Sequence, residues 1–361
     1  MNARLFALHS LFVLGALLVV SSAELAVAMP DTTMRFPPTI TLGTLVEKLA
    51  TLPTEPYTVG RPFTEGTTCA PNGDVYFVEQ NSNKILKWSV ADRALSLFMH
   101  PAGYANGLSF DAKGNLIACA DERNELWSIS LTEKETVPFP KPLNPTVGEK
   151  RVGEPITLPR HVVLMKGDYN GKLLGGPNDL WVSPGGSIYF TDPFYSRPWW
   201  TPGRGSEQEL KTVYFLSPDH QTLKRALPDF LSTQGIPGTP NGIIGTPDGK
   251  TLYVSDISGG ETWKFNVGAD GSLSGKTLVC PFGSDGMTLD DRGNLYLSAS
   301  AQPPGITVVD AKSGRQVGFI PVPEPPANMC FGGKDHQTLY IAARTGFYCV
   351  PTNVKGASLV K

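Results

Sequence analysis

The sequence has few charged residues and lacks the familiar signatures of a reactive centre. Charged side chains make up 18% of its 361 residues, and the formal net charge is only −2. This balance gives no electrostatic basis for binding nucleic acid or an anionic membrane surface. The chain also has no G-x-S-x-G elbow, no H-E-x-x-H motif and no phosphate-binding glycine loop. The usual signatures of serine hydrolases, zinc proteases and nucleotide-binding proteins are therefore missing.

Cysteine is scarce as well, and its pattern argues against a disulfide scaffold. The five cysteines are odd in number and form no C-x-x-C pair. Most of them lie in apolar runs such as IACAD and ANMCF, where a free thiol packs as a small hydrophobe. A single disulfide bridge, between Cys69 and Cys349, remains an alternative if the two chain ends meet. The four histidines beyond residue 28 are widely separated, and we expect surface or structural roles for them.

A long apolar run occurs only near the N-terminus. Arg4 precedes the apolar stretch Leu11–Val20, and Ala26-Val27-Ala28 places small residues where a signal peptidase cleaves. Because a membrane span needs about 20 apolar residues, this run predicts a signal peptide, residues 1–28, cleaved near Ala28. An uncleaved N-terminal anchor is the alternative. We expect a periplasmic or secreted protein with no stable membrane insertion after cleavage.

What the sequence does have is glycine, proline and an internal repeat. The 38 Gly and 32 Pro are typical of many tight turns between short strands. A polar residue, usually followed by Gly, precedes an apolar strand, a Gly-bearing turn and a second strand with an aromatic residue. The copies are TEGTTCAPNGDVYFVE, ANGLSFDAKGNLIACAD, PNDLWVSPGGSIYFTD, PNGIIGTPDGKTLYVSD, SDGMTLDDRGNLYLSA and ANMCFGGKDHQTLYIAA.

These repeats predict an all-β, six-bladed β-propeller. Each copy supplies two strands of a hairpin, and runs such as KILKWSV and ETWKFNV supply third strands. Four strands in each unit of roughly 40 to 50 residues is the pattern of a propeller blade. No sustained helical periodicity favours an α/β alternative. We therefore expect residues 29–361 to form a single propeller domain with antiparallel four-stranded blades.

Two insertions interrupt the repeats. The longest irregular stretch covers about 132–172, and a second, near 193–208, contains FYSRPWWTPGRG. Long loops in a compact domain are usually functional or mobile. These sequences are consistent with a lid over one mouth of the propeller and also with loops that extend into solvent.

The polar residue that opens each repeat predicts a metal site. First strands line the channel of a propeller, so equivalent residues in six blades converge on its axis. The six residues are two carboxylates and four carboxamides, namely Glu65, Asn106, Asn178, Asn241, Asp285 and Asn328. Calcium takes about 6–8 oxygen ligands, whereas zinc and copper favour imidazole or thiolate. The alternative is that Asn-Gly and Asp-Gly only form turns, although Glu65 is a poor turn former.

At these residues the sequence resembles the gluconolactonase/regucalcin (senescence marker protein) family of calcium-dependent propeller hydrolases. The resemblance covers about Pro62 to Phe347, through FTEG, ANGLSFDAKGNL, GGPNDLWVSPGGSIYFTDPFY, TPNGIIGTPDGKTLYVSD, SDGMTLDDRGNLYLS and PANMCFGGKDHQTLYIAARTG. It implies one divalent metal ion, calcium first, with zinc, manganese or magnesium left open. It also implies lactonase or related ester hydrolysis of a small-molecule substrate.

Carried over residue by residue, the resemblance implies a metal site and a substrate pocket. The implied metal ligands are Glu65, Asn178, Asn241 and Asp285. Asn106 and Asn328 fall at pocket-lining positions. The sequence departs from the family at CADE, where Asp121 occupies what is often a His, and at EGT, where EGP is usual. We assign Asp121 to substrate binding as well.

These residues lead to a functional hypothesis with open alternatives. We expect calcium to polarise the carbonyl of a sugar lactone, with an activated water as the attacking group. Asp285 is the predicted general base, and Glu65 is mainly a ligand. An aryl-ester or organophosphate hydrolase on the same site, and a non-enzymatic calcium- or sugar-binding propeller, are the alternatives. The sequence leaves the natural substrate and the oligomeric state open.

Overall fold

A computed structural model describes residues 45–357 of the chain. The predicted signal peptide, residues 1–28, lies outside these described residues. All of residues 45–357 belong to one compact unit, Met34–Lys361. They form 26 strands and one three-residue 3-10 turn, Gln80–Ser82, and none of their helices is long and apolar enough to cross a membrane.

Six antiparallel four-stranded sheets confirm the predicted six-bladed propeller. We number the strands in chain order. The innermost strands of the six blades are β2 (Thr64–Cys69), β6 (Ala105–Phe110), β12 (Leu180–Val182), β16 (Pro240–Gly245), β20 (Met287–Leu289) and β24 (Pro326–Gly332). The second strands are β3 (Val75–Glu79), β7 (Leu116–Ala120), β13 (Ile188–Asp192), β17 (Thr251–Asp256), β21 (Asn294–Ala299) and β25 (Thr338–Ala343).

The outer half of each blade follows the same order. The third strands are β4 (Lys84–Ser89), β8 (Glu125–Pro138), β14 (Thr212–Leu216), β18 (Glu261–Val267), β22 (Gly305–Asp310) and β26 (Gly346–Pro351). The fourth strands are β5 (Ala94–Met99), β9 (Pro155–Met165), β15 (Leu223–Arg225), β19 (Leu273–Cys280), β23 (Gln316–Pro321) and β1 (Glu47–Thr51). The runs KILKWSV and ETWKFNV supply β4 and β18, as predicted. A separate ribbon pairs β10 (Asp168–Tyr169) with β11 (Lys172–Leu173).

The second strands are apolar on both faces because each blade is packed between two others. Every residue of β3, β7 and β13 is buried. Between the first and sixth blades, the rings of Phe77 and Phe347 stack with centroids 4.1 Å apart, and both side chains are fully buried. Buried aromatic pairs of this kind add about 0.5–1.5 kcal/mol to the free energy of area burial.

The two ends of the described chain close the ring. Strand β1 completes the sixth blade by pairing antiparallel with β26, which places Glu47 opposite Cys349. The bridge between Cys69 and Cys349 that the sequence left open is not formed, because all five cysteines are free thiols. Closure therefore depends on main-chain pairing and side-chain packing.

Much of the first insertion is strand. Strands β8 and β9 continue past the body of the second blade as a long hairpin, with a register break between Ile129 and Lys134. Its tip contacts the second insertion, since Asn144 Nδ2 donates to the carbonyl oxygen of Pro198 across 2.7 Å. The two insertions therefore lie on each other instead of extending separately into solvent.

Candidate metal centre at the channel mouth

The six polar residues that open the repeats lie at the start of the innermost strands. In the first, second, fourth and sixth blades the pairing register breaks where they occur, next to Glu65, Asn106, Asn241 and Asn328. β-Bulges of this kind redirect side chains and are common beside functional sites. Five of the six residues are buried, and Asp285 alone is partly exposed. The exposed part of Asp285 is the point at which a ligand reaches this cluster.

The glycine after the polar residue allows adjacent blades to approach closely at the axis. A Cβ on Gly66, whose φ is +53°, would lie 1.9 Å from the carbonyl oxygen of Asn106. A Cβ on Gly107 would lie 2.6 Å from the carbonyl oxygen of Asn178, which accepts a hydrogen bond from Gly107 N. The polar-Gly pattern is therefore a packing requirement that sets the diameter of the ring.

Glu65, Asn241 and Asp285 come together in this ring. Asn241 Nδ2 donates to Asp285 Oδ1 across 2.8 Å. Burial and the like charges of Asp285 and Asp179 raise the pKa of Glu65 well above its ordinary value. Burial also raises the pKa of Asp285 to about 6, although the hydrogen bond from Asn241 and the charge of Arg197 act in the opposite direction. Carboxylates crowded in this way favour a cation between them.

Asp179 is a third carboxylate on the axis, and the repeat did not predict it. It follows Asn178, at the position where four of the other five repeats carry Gly, and burial raises its pKa to about 7. Asn328 hydrogen-bonds to both Asp179 and Glu65, while its Oδ1 accepts from Thr67 Oγ1 at 3.0 Å. Asn328 thus links two acids below the mouth. The break in the polar-Gly pattern at PND was the available sequence signal for Asp179.

The donor set fits a hard divalent cation. Asn241 uses its amide nitrogen twice, donating to Asp285 and, across 3.1 Å, to the hydroxyl oxygen of Tyr195. This fixes the amide orientation and leaves Asn241 Oδ1 buried with no hydrogen-bond partner. An orphaned oxygen beside two acids is the environment of a cation ligand. No group of three or more His, Cys, Asp or Glu in residues 45–357 is arranged to hold a metal, so such a site depends on carboxamides as well as acids.

The second insertion crosses the mouth and adds two residues to it. Tyr195 contacts Asn241 as described, and burial raises the pKa of the Tyr195 phenol to about 12. Arg197 Nε lies 2.7 Å from Asp121 Oδ2, and its charge lowers the pKa of Asp285. Neither residue was singled out from the sequence, although both lie in the FYSRPWW segment. A tyrosine and an arginine spaced two apart in an inserted loop were the available signal.

Asp121 lies behind Arg197 and is fully buried. Burial raises its pKa to about 6, while the guanidinium groups of Arg197 and Arg204 oppose that shift. Trp200 Nε1 donates to the main-chain oxygen of Asp121 across 2.7 Å. Asp121 therefore contacts the second insertion directly.

The channel continues below the acids as a cavity of about 370 Å³. Asp179 and Asn328 line it together with residues farther along the innermost strands, including Leu108, Ile243 and Met287. Glu65, Asn241 and Asp285 are not part of its wall. The cluster of acids and carboxamides therefore separates the mouth from this cavity.

Comparisons with known proteins agree with this fold. The chain is 29% identical to a gluconolactonase of Zymomonas mobilis over 313 residues, which cover 81% of this chain and 80% of that protein. Among solved structures, a gluconolactonase from Xanthomonas campestris matches with a TM-score of 0.66, 24% identity and coverage of 88% of this chain and 95% of that one. A calcium-binding regucalcin from Agrobacterium tumefaciens matches with a TM-score of 0.62, 16% identity and coverage of 87% and 95%.

The family assignment extends over all six innermost strands. Residues 63–345 match the family described as the SMP-30/gluconolactonase/LRE-like region. This span begins just before β2 and ends between β25 and β26. The chain belongs to the SMP-30/gluconolactonase/LRE-like family.

Proposed function

We propose that this protein is an exported, calcium-dependent lactonase that opens sugar lactones at the mouth of the propeller channel. The observation that carries the proposal is the buried, unpartnered Oδ1 of Asn241 beside Asp285, whose negative charge raises the pKa of Glu65. The Zymomonas mobilis relative, a gluconolactonase, supports a lactone as the substrate. Zinc, manganese and magnesium are the other candidate ions.

The proposed metal ligands are Glu65, Asn178, Asn241 and Asp285. When bound, the ion supplies Lewis-acid polarisation of the lactone carbonyl. The two acids balance its charge, and the carboxamides contribute neutral oxygens, so the buried charge is compensated. Asn178 is included because it opens its repeat as the other ligands do and matches the family's PND motif; it is buried, and its main-chain oxygen accepts from Gly107 N.

Asp285 is the proposed general base, because it is the one member of the ring that is partly exposed. A water oxygen bonds to the acyl carbon, and the ring carbon–oxygen bond breaks. The proton released by the water passes through the Asp285 carboxylate to the leaving alkoxide, which becomes a hydroxyl group. The second hydrogen of the water stays on the new carboxylic acid, which releases it to solvent at neutral pH, so the products are the open hydroxy acid anion and the proton that a pH indicator detects.

The test is hydrolysis of glucono-δ-lactone followed with a pH indicator, before and after chelation and with each divalent ion restored. We expect activity to disappear with chelator and to return best with calcium. Phenyl acetate and paraoxon serve as comparison substrates and separate a lactonase from an aryl-ester or organophosphate hydrolase. A protein that binds calcium but hydrolyses none of the three overturns the enzymatic proposal.

Asp285→Asn tests the base separately from the metal. This variant keeps an oxygen for the ion and the shape of the side chain but removes the carboxylate that accepts the proton. We expect calcium to bind more weakly yet saturably, with kcat reduced by roughly 10²-fold or more at saturating calcium. Full activity with calcium bound would reject Asp285 as the base.

Export is a separate part of the proposal and depends on the N-terminal sequence alone. Cleavage near Ala28 gives a mature protein that begins close to Met29. The measurement is the N-terminal sequence of protein recovered from the periplasm and medium of expressing cells. Full-length protein retained in the membrane fraction would favour the uncleaved anchor.

A further inference from the structure

Arg197 lies between a buried acid and the proposed metal centre. Its Nε lies 2.7 Å from Asp121 Oδ2, and its side chain is 16% exposed. The Arg197 guanidinium lies over the ring of Tyr195, whose hydroxyl contacts Asn241, and this contact places it at the mouth. Because the contact with Asp121 uses Nε, the two terminal NH₂ groups of Arg197 remain as a pair of donors.

The guanidinium is held in a fixed orientation by aromatic rings. It lies 5.4 Å from the ring centroid of Tyr195 and 5.5 Å from that of Trp199. Trp199 in turn stacks on Tyr104 with centroids 4.4 Å apart. Cation–π contacts of this kind restrict a flexible side chain, so little further conformational entropy is lost when the fork binds a ligand.

Asp121 holds Arg197 in this position through an ion pair. It is 0% exposed and its Oδ2 pairs with Arg197 Nε, so its carboxylate is not open to solvent. A buried carboxylate requires a compensating charge, and the paired Arg197 provides it. The main-chain oxygen of Asp121 also accepts from Trp200 Nε1, which anchors the same inserted segment.

We infer that Arg197 is a substrate-binding residue and that Asp121 is its positioning residue. The inference rests on the proposed lactonase function. Arg197 donates from both terminal nitrogens to oxygens of the lactone and, after ring opening, to the carboxylate of the sugar-acid product. A planar guanidinium fork matches a carboxylate with two parallel hydrogen bonds. The ligand class is therefore a polyhydroxylated lactone and its aldonate.

The first measurement is calorimetric binding of gluconate to the calcium-loaded protein, which does not depend on turnover. In Arg197→Gln we expect the Kd for gluconate and the KM for glucono-δ-lactone to rise roughly tenfold or more, as for loss of a charged hydrogen bond, with a smaller change in kcat. Arg197→Lys keeps the charge but loses the fork, so we expect most of the same increase. If Arg197→Gln does not fold, the gluconate Kd and the KM of Arg197→Lys test the inference.

The second measurement is calcium affinity, which separates binding from a merely structural role. Removing a positive charge near Asp285 should tighten calcium binding in Arg197→Gln, although gluconate binding weakens. Arg344→Gln is the matched control, because the charge of Arg344 also lowers the pKa of Asp285 while its side chain lies exposed over Phe63. We expect that control to tighten calcium binding without changing the Kd for gluconate.

Asp121→Asn completes the test. It keeps the main-chain bond to Trp200 but removes the charge that holds Arg197, so we expect KM and the gluconate Kd to rise less than in Arg197→Gln. Wild-type protein that hydrolyses lactones but binds gluconate no more tightly than Arg197→Gln overturns this inference alone. Wild-type protein that binds gluconate through Arg197 and hydrolyses no lactone overturns the proposed function instead.

Discussion

Asn241 donates one amide hydrogen to Asp285 Oδ1 at 2.8 Å, and its own side-chain oxygen is buried without a hydrogen-bond partner. The second amide hydrogen goes to the hydroxyl oxygen of Tyr195. Both donors of Asn241 are therefore used by side chains of other elements, and its acceptor has no partner within the described residues. This relationship explains why a neutral carboxamide occupies the position: an aspartate could not make either donation.

Asn241→Ala should weaken calcium binding by roughly 100-fold or more, since loss of an outer partner alone costs about 10–100-fold. Isothermal titration with calcium is the measurement. Asn106→Ala is the control, because Asn106 is buried in the same ring but belongs to the proposed substrate pocket. We expect that control to raise KM for the lactone and to leave calcium affinity nearly unchanged. Equal losses of calcium affinity would contradict the assignment of the two asparagines.

Tyr195→Phe should lower calcium affinity by about 10-fold, as expected for an outer-shell partner of a metal ligand. The phenol oxygen that accepts from Asn241 is removed, so the amide is held only by Asp285. Tyr189→Phe is the matched control, since Tyr189 is a buried tyrosine of β13 that packs in the apolar core. If the two variants bind calcium equally well, Tyr195 does not orient Asn241.

Gly66→Ala should destabilise the protein by more than about 4 kcal/mol or prevent folding, because a clash with the main chain adds to the cost of a positive φ. The added Cβ would lie 1.9 Å from the carbonyl oxygen of Asn106. Gly114→Ala separates the two effects, since Gly114 has a φ of +81° but no atom within 4 Å of the new Cβ. Urea unfolding should show a loss of only about 1–3 kcal/mol there. Similar losses at both glycines would mean that the ring relaxes around Gly66.

Glu324→Gln should destabilise the closure of the ring by about 2 kcal/mol at pH 7, the usual range for hydrogen bonds to a charged group. Glu324 accepts from Tyr348 Oη and Thr345 N at 2.5 Å and 3.0 Å, and it pairs with Lys48 of β1 at 3.1 Å. These contacts outweigh burial and lower the pKa of Glu324 from 4.5 to about 2.

The pH dependence of the Glu324 contribution to stability follows from its lowered pKa. A carboxylate with a depressed folded pKa stabilises the protein fully above pH 4.5, and the contribution is lost as the pH falls from 4.5 towards 2. The gap in Tm between wild type and Glu324→Gln should therefore close over this window. Glu209→Gln, at an exposed pair with Lys172, should cost less than about 1 kcal/mol at any pH. A gap that stays constant down to pH 2 would contradict the role of Glu324.

The repeat was sufficient to predict six blades, because strands buried on both faces between neighbouring blades leave short, mainly apolar runs such as LIACA and IYFTD after each Gly-bearing turn. The same repeat identified six polar residues as a set, since equivalent positions of six blades must meet at one axis: Glu65, Asn106, Asn178, Asn241, Asp285 and Asn328. Neither result depended on knowing which blades touch.

Tertiary structure alone decided what surrounds those residues. Asp179 breaks the polar-Gly pattern and becomes a third axial acid only because the first, third and fifth blades face one point. Arg197 and Tyr195 reach the mouth because a loop of the third blade crosses it, and no local pattern specifies where a loop of that length ends. The repeat determines which segments become buried strands, whereas the pairing of Asp121 with Arg197 depends on long-range packing between blades.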